Sequence, residues 1–259
     1  RFCLFKKAKP KKVNHQPIID ETPSSLIEAE IKAFAPEAHL FTGGDLEVYI
    51  TKLSPESAIM RELSRLREIT FRSVGEGTGL SKDTDVYDAE YLHLFIWNAK
   101  AKEIVGAYRL GLADKICEKF GVRGLYTHTL FKFNENLTDK ILPGIELGRS
   151  FVRPEYQKAF QPLLYLWKGI GTFISRNPQY VNLFGPVSIT ADYKDSSRNM
   201  LLRSLELSNF ANDLAHLVKP RKKPARMKKR EEWVNPDFEE IIASVDDVST
   251  LIQDIEDDR

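Results

Sequence analysis

The sequence predicts an α/β domain in which helices flank a sheet, and the order of its elements is the main support for this class. Alternating apolar residues indicate strands, and apolar residues at helical spacing indicate helices, in the order β-α-β-β-α-β-α-β-α. Two strands over 91–97 and 103–110 are separated by a connection of hairpin length. No internal repeat is apparent, which argues against a repeat architecture.

The first elements are a strand over 46–53 and the helix that follows it. Ser54, Pro55 and Glu56 predict the start of that helix, because serine caps helices and proline suits their first turn. The apolar spacing predicts that the helix ends near Gly75. The loop over 75–79 contains three glycines, but no Lys-Ser/Thr pair follows it and no strand precedes it, which disfavours a phosphate site.

The second half of the chain continues the alternation of strands and helices. We predict a short helix near 114–120, a strand over 145–152, a helix over 162–176, a strand over 181–189 and a helix over 195–210. These elements place one domain at 45–215.

Composition describes a globular protein with charged ends. The chain has 259 residues, 42% of them hydrophobic, and a formal net charge of +1. Residues 1–44 are rich in lysine and proline and predict a linker with a short docking helix, whereas 216–259 predict a basic and then acidic tail. Two distant cysteines predict neither a disulfide framework nor a metal site, and no apolar run predicts a membrane span or signal peptide. We therefore expect a cytoplasmic protein.

The strand over 145–152 carries charge inside an apolar run. Burying Glu146 and Arg149 costs several kcal/mol unless they are paired, so the strand contains either a structural ion pair or a reaction site. Alternation sends the two side chains to opposite faces. They can share a pocket only if the strand has a bulge between them, which Gly148 would ease.

Further polar residues also stand in apolar surroundings, and each has a structural alternative. Glu146 could accept a proton or only neutralise an arginine. Arg109 and Arg149 could bind a carboxylate or only pair with acidic residues. His93 could be a second proton carrier or a core residue. The full set is Arg67, Asp85, Asp88, His93, Arg109, Glu146 and Arg149.

These residues, in this order, resemble the GNAT-type acyltransferases that take acyl groups from acyl carrier protein. The segments His93-Leu94, Tyr108-Arg109-Leu110, Glu146-Leu-Gly-Arg149-Ser150, Leu166-Trp167-Lys-Gly169 and Phe184-Gly-Pro-Val-Ser188 favour the ornithine-lipid synthase, or haemolysin-like, branch over the related acyl-homoserine-lactone synthases. The resemblance covers about 46–210. In that family the domain often follows a lysophospholipid acyltransferase domain, so this chain is expected to be the C-terminal part of such a fusion.

The resemblance implies a mixed, mostly antiparallel sheet that splays between the strands near 145–152 and 181–189. An acyl donor on phosphopantetheine would enter there, and no bound cofactor or metal is implied. The stretch after the first of these strands lacks the glycine turn that holds coenzyme A in related enzymes. This favours acyl carrier protein as donor, docking on Arg153, Lys158 and Lys168.

The implied reaction moves a long, 3-hydroxylated acyl chain to the α-amine of an amino acid, ornithine or glycine, in aminolipid synthesis. Peripheral contact with the inner face of an anionic membrane is expected, and nucleic acid is not an expected partner. Two alternatives remain: an acyl-homoserine-lactone synthase, and a non-catalytic module that binds membrane or carrier. The expected catalytic residues are Glu146 and His93, and the expected substrate-binding residues are Arg67, Asp85, Asp88, Arg109, Arg149 and Ser150.

Overall fold

The structure is a computed structural model that describes residues 15–189 and 193–222, with 249, 250, 252, 253, 256 and 257. Its strands are β1 (His39–Gly43), β2 (Leu46–Lys52), β3 (Leu92–Asn98), β4 (Glu103–Leu112), β5 (Phe131–Phe133), β6 (Gly144–Val152), β7 (Asn182–Phe184) and β8 (Val218–Pro220). Its α-helices are α1 (Ser24–Lys32), α2 (Ala58–Ser73), α3 (Ala113–Phe120), α4 (Thr127–Leu130), α5 (Leu137–Ile141), α6 (Phe160–Arg176), α7 (Asp195–Ser208) and α8 (Asn212–Ala215).

Six strands form the central sheet in the order β1-β2-β3-β4-β6-β7. All neighbours are antiparallel except β6 and β7, which are parallel. The predicted fold class, a mixed and mostly antiparallel sheet flanked by helices, is confirmed. β5 and β8 form a separate two-stranded ribbon.

Alternation along the strands builds two apolar cores, one on each face of the sheet. Phe95 and Trp97 of β3 face α1 and α2, whose Ile27 and Leu63 are buried against them. Leu94 and Ile96, the intervening residues, face Leu166 and Ile170 of α6 on the other side. The sheet is therefore covered on both faces, and a functional site must open at an edge or at a break between strands.

The described part of the predicted linker belongs to the domain. β1 is the edge strand of the sheet, and the boundary predicted at residue 45 falls in the hairpin between β1 and β2. Glu30 of α1 accepts hydrogen bonds from the Ser57 hydroxyl and from the amides of Ala58 and Ile59. Ser57, rather than Ser54, caps α2, and the cap is completed by a carboxylate distant in sequence. The short helix predicted in this segment corresponds to α1, whereas the lysines and prolines of 1–44 hid the short apolar pattern of β1.

The predicted tail also begins later than expected, because Val218–Pro220 pairs with β5. Most of the basic and acidic run beyond it lies outside the described residues. None of the described helices is both long and apolar enough to cross a bilayer.

β6 and β7 pair over three residues and then separate. The pairs are Gly144 with Asn182, Ile145 with Leu183 and Glu146 with Phe184. The strand predicted over 181–189 ends at Phe184. Gly185 follows it and passes so close to the Leu147 carbonyl that a Cβ would lie 2.2 Å from its oxygen. β6 continues to Val152 without this partner, which leaves the splay that the resemblance implies.

Candidate active site

A cleft of about 730 Å³ occupies the gap where β6 and β7 separate. One wall is the β6 segment from Leu147 to Ser150, and the other is the segment from Leu183 to Ser188. Phe71, Thr78 and Asp83 border the cleft from the α2 side of the sheet, and Tyr108 and Trp167 border it from the α6 side. The cleft therefore passes through the sheet.

A β-bulge in β6 aims Arg149 into this cleft. Ala107 pairs with Phe151 but Arg109 pairs with Gly148, so β6 carries one extra residue against β4. Arg149 takes up the difference with a φ of 49°, a left-handed conformation that is uncommon outside glycine. The bulge expected from the sequence is present, but Arg149 rather than Gly148 adopts the unusual backbone angle. Ser150, the next residue, also lines the cleft.

Asp83 is the carboxylate that borders the cleft beside Arg149. Its Oδ2 lies 3.1 Å from Arg149 Nε, and only 2% of the residue is exposed. Burial raises the pKa of Asp83, although Arg149 and Arg67 oppose the shift. Asp83 is a site residue that the sequence prediction did not include. It opens the acidic series Asp83-Thr-Asp85-Val-Tyr-Asp88, of which the prediction contained only Asp85 and Asp88.

Four of the predicted substrate-binding residues form an ionic network one layer behind the cleft. Arg109 Nη1 lies 2.5 Å from Asp85 Oδ1 and 3.0 Å from Asp88 Oδ1, and Arg67 Nη1 lies 2.7 Å from Asp88 Oδ1. Burial alone would raise the pKa of Asp88, but Arg67 and Arg109 outweigh it and hold that pKa at about 2. Both guanidinium groups are almost fully buried. Arg109 is linked to the cleft through Asp85, which also lies 3.3 Å from Arg149 Nη2, whereas Arg67 joins the network at Asp88.

His93 is fully buried in the same network and does not border the cleft. Its Nε2 lies 2.9 Å from the Asp88 carbonyl oxygen and therefore donates, which leaves Nδ1 to accept from Arg67 Nη2 at 3.2 Å. Burial, with Arg67 nearby, lowers the pKa of His93 to about 4. His93 is thus a neutral residue with both ring nitrogens occupied. Its predicted role as a proton carrier stays a prediction.

This histidine makes stability depend on pH. An unfolded His93 binds a proton below its ordinary pKa of 6.5, whereas the folded residue stays neutral until about pH 4. The lowered pKa therefore costs stability as the pH falls, and we expect His93 to account for a loss of about 2 kcal/mol between pH 7 and pH 5. Urea unfolding of the wild type and of His93→Gln at both pH values measures it. An equal pH dependence in the two proteins would contradict this assignment.

Glu146 is buried in a cage of four donors. Its carboxylate accepts hydrogen bonds from the hydroxyls of Tyr91 and Thr127 and from the amides of Tyr126, at 3.0 Å, and Thr127, at 2.5 Å. It forms no ion pair with Arg109 or Arg149, and it does not border the cleft. To act as a proton acceptor, as predicted, Glu146 would have to exchange one of these donors for the substrate.

Tyr126 lies between the Glu146 carboxylate and the cleft. Its backbone amide donates a hydrogen bond to that carboxylate. The guanidinium carbon of Arg149 lies 5.1 Å from the centre of the Tyr126 ring, and that of Arg109 lies 5.6 Å from it. The Tyr126 hydroxyl lies 3.5 Å from Arg149 Nη1. Tyr126 therefore shapes the surroundings of Arg149 and borders the cleft itself. No pattern in the sequence distinguished it.

Comparison with known families agrees with this fold. Residues 66–168 match the family model of the acetyltransferase (GNAT) domain. The chain carries a GNAT-like domain. The match includes the second half of α2, the ionic network, the bulged strand and the first half of α6.

Two relatives of this GNAT-like domain carry the same name, glycine N(alpha)-acyltransferase. The protein from Bacteroides thetaiotaomicron is 38% identical over 185 residues, which are 67% of this chain and 54% of that protein. The protein from Phocaeicola vulgatus is 36% identical over 187 residues, which are 68% of this chain and 57% of that protein. The chain spans a little over half the length of these relatives.

The predicted carrier-docking residues of the GNAT-like domain differ in availability. Arg153 is engaged within the chain, because its guanidinium lies 2.6 Å from Glu103 and 3.1 Å from Glu155. Lys158 and Lys168 are exposed, and Lys168 Nζ lies 4.4 Å from the centre of the Phe41 ring. The docking role of all three stays a prediction.

The glycine-rich loop of the GNAT-like domain already holds an internal anion. The buried Glu68 accepts hydrogen bonds from the amides of Thr78 and Gly79 and from the Thr78 hydroxyl. Arg72 pairs with the same carboxylate at 2.8 Å. The loop thus fixes Thr78 at the border of the cleft, and a phosphate would have to displace Glu68 from these amides.

Proposed function

We propose that this chain transfers a long acyl chain from a thioester on acyl carrier protein to the α-amine of an amino acid. Glycine is the first acceptor to test, because both relatives are named for it. Ornithine, the other predicted acceptor, is the second. The observation that carries the proposal is one arginine and one carboxylate of raised pKa side by side in a cleft between separating strands.

Arg149 is the residue we assign to the acceptor carboxylate. Nη1 of Arg67 and Nη1 of Arg109 already make short contacts with Asp88, and Arg109 Nη1 also contacts Asp85. Both of these residues are almost fully buried. By contrast, the Nη contacts of Arg149 measure 3.3 Å and 3.5 Å, and its side chain is 21% exposed. A substrate carboxylate can therefore meet its forked donors.

Asp83 is the residue we assign to the acceptor amine. The ammonium group gives a proton to the Asp83 carboxylate, and the free amine then attacks the thioester carbonyl. The C–N bond forms, the C–S bond breaks, and the carrier thiolate takes the second amine proton. A raised pKa makes Asp83 a better base than an ordinary carboxylate. Glu146, the base predicted from the sequence, acts in this proposal by holding Tyr126 beside Arg149.

We assign the unpaired edge of β6 to the binding of the acyl donor. Beyond Glu146 no described strand pairs with this edge, so its amides are available to the phosphopantetheine arm and to the developing oxyanion. Leu147, Trp167 and Leu183 give the cleft an apolar wall for the start of an acyl chain. The proposal has four further parts. The acyl chain is 3-hydroxylated, and the product serves aminolipid synthesis. The protein contacts the inner membrane face and is fused to a lysophospholipid acyltransferase domain.

The test is transfer by the purified protein from long-chain 3-hydroxyacyl carrier protein to glycine or ornithine. Mass spectrometry should detect an N-acyl amino acid, and thiol release should match it mole for mole. Acyl-coenzyme A should be a poorer donor. A lactone product would move the assignment to the homoserine-lactone synthases. Neither product from folded protein would favour the non-catalytic module.

Arg149→Met tests how the acceptor is recognised. We expect the KM for glycine to rise about 30-fold, since a charge-assisted pair contributes about 2 kcal/mol. Glycinamide, which lacks the carboxylate, should be a poor substrate of the wild type and be used about equally by both proteins. Steady-state kinetics with the two acceptors measure this. If the variant still prefers glycine to the same degree, Arg149 does not bind the carboxylate.

A further inference from the structure

Helix α6 has apolar side chains on both of its faces. Leu166 and Ile170 face the sheet and are 1% exposed each. The opposite face presents Phe160, Leu163, Leu164 and Trp167 to solvent, with exposed fractions of 73%, 44%, 47% and 47%. These four positions follow the i, i+3, i+4, i+7 spacing of a single helical stripe. We call these four residues the outer stripe.

A helix that borders solvent ordinarily carries charge on its outer face, and α6 carries almost none. Its charged residues are Lys168 and Arg176. Arg176 donates to the carbonyls of Glu37, His39 and Leu40 and so serves the fold. Lys168, with Lys158 just before the helix, is left to flank the outer stripe. The nearest acidic residue before the helix, Glu155, pairs with Arg153.

We propose that the outer stripe of α6 docks on the surface of an anionic lipid bilayer. Phenylalanine, leucine and tryptophan flanked by lysines form the pattern of helices that lie in the bilayer interface. The apolar side chains would enter the acyl boundary, while Lys158 and Lys168 would meet anionic headgroups. The absence of acidic residues from α6 removes the repulsion that such a surface would otherwise impose.

The stripe leads to the cleft. Trp167 belongs to the outer stripe and also borders the cleft, where its ring lies 6.0 Å from that of Tyr108. A bilayer on this face would therefore touch the α6 mouth of the cleft. This step rests on the proposed function: a long N-acyl amino acid is an amphiphile, and its chain could pass from the cleft into the bilayer without crossing water.

A carrier protein is the competing occupant, and the structure favours it less. Recognition of an acidic carrier depends on available cations. Lys158 and Lys168 could meet either partner, but the guanidinium of Arg153, the third residue predicted to dock a carrier, is already held by Glu103 and Glu155. The outer stripe itself offers apolar side chains with few directional partners, which suits a fluid surface. A carrier protein and a second copy of this chain are both outcomes of the test.

The test is co-sedimentation with vesicles of phosphatidylglycerol and phosphatidylcholine, without substrate, so that binding and transfer are judged separately. Phe160→Ser with Leu164→Ser should lower the partition coefficient at least tenfold. Lys168→Glu should weaken binding to these vesicles but not to pure phosphatidylcholine. Val86→Ser with Phe120→Ser, at residues 83% and 47% exposed elsewhere on the domain, is the matched control and should bind as the wild type does.

Tryptophan fluorescence gives a second measurement. The emission should shift to shorter wavelength when the wild type meets anionic vesicles, and Trp167→Phe should lose the shift. Absence of vesicle binding by the wild type would overturn the proposal, as would an equal loss in the control variant. The stripe variant could instead bind vesicles normally but lose carrier binding or self-association. Such a result would assign the face to the carrier protein or to a second copy of the chain.

Discussion

Replacing Asp83 by asparagine is expected to lower kcat for acyl transfer about 100- to 1000-fold, because a positioned general base contributes about that much. Asparagine keeps the shape of the side chain but cannot accept the proton of the acceptor amine. The KM for glycine should change little, since Arg149 rather than Asp83 meets its carboxylate. Unfolding in urea should also change little. Single-turnover kinetics with 3-hydroxyacyl carrier protein measure the rate of the chemical step.

The pH profile separates this role from a structural one. Because burial raises the pKa of Asp83, the wild-type rate should fall as the pH drops through that raised value and protonates the carboxylate. The asparagine variant should lack this limb of the profile. Asp139→Asn, at an exposed carboxylate of α5, is the matched control and should retain the wild-type rate and profile. A full wild-type rate in the Asp83 variant would remove it from the mechanism.

Glu146→Gln is expected to lower the free energy of unfolding by about 2–4 kcal/mol and to reduce activity with it. The carboxylate accepts four hydrogen bonds, two of them from backbone amides that cannot reverse direction. A glutamine offers one acceptor oxygen and turns its own N–H groups toward the remaining donors. The amide of Tyr126 or of Thr127 then loses its hydrogen-bond partner, and Tyr126 is no longer fixed in position beside Arg149. Urea unfolding and transfer kinetics on the same preparations measure both losses.

Glu135→Gln, at an exposed site, supplies the control and should shift stability by less than about 0.5 kcal/mol. The decisive question is whether Glu146→Gln loses stability and activity together. If Glu146→Gln abolished transfer while unfolding at the wild-type urea concentration, Glu146 would be the base and Asp83 would lose that assignment.

Much of the fold could be predicted because its signals are local. The strands β2, β3 and β4 alternate clearly, and the hairpin between β3 and β4 is short. The short helix predicted within 1–44 corresponds to α1, whereas β1 was missed because its apolar residues are few. β7 was predicted too long, because the apolar residues of 181–189 do not show where the chain leaves β6, which happens after Phe184.

The candidate site could be predicted only in part, because the sequence distinguished Arg149 and Ser150 but neither Asp83 nor Tyr126. The bulge was predicted on the premise that Glu146 and Arg149 share a pocket. The bulge is present, but Glu146 lies outside the cleft. The conformation of the loop before β3 determines which of its carboxylates reaches the cleft. Asp83 lies at the cleft beside Arg149, whereas Asp88 lies behind it beside Arg67. Tyr126 is positioned at the cleft by the hydrogen bond from its backbone amide to Glu146. A backbone contact of this kind cannot be recognised from a pattern of residue types.

The passage of the cleft through the sheet has a consequence for the order of events. Asp83 and Thr78 stand at the α2 mouth, and Tyr108 and Trp167 stand at the α6 mouth. Under the proposed function, the amino acid and the acyl arm would reach this cleft from opposite faces of the sheet and would not obstruct one another. Both reactants could then be present together, and the transfer would need no acyl group bound covalently to the protein.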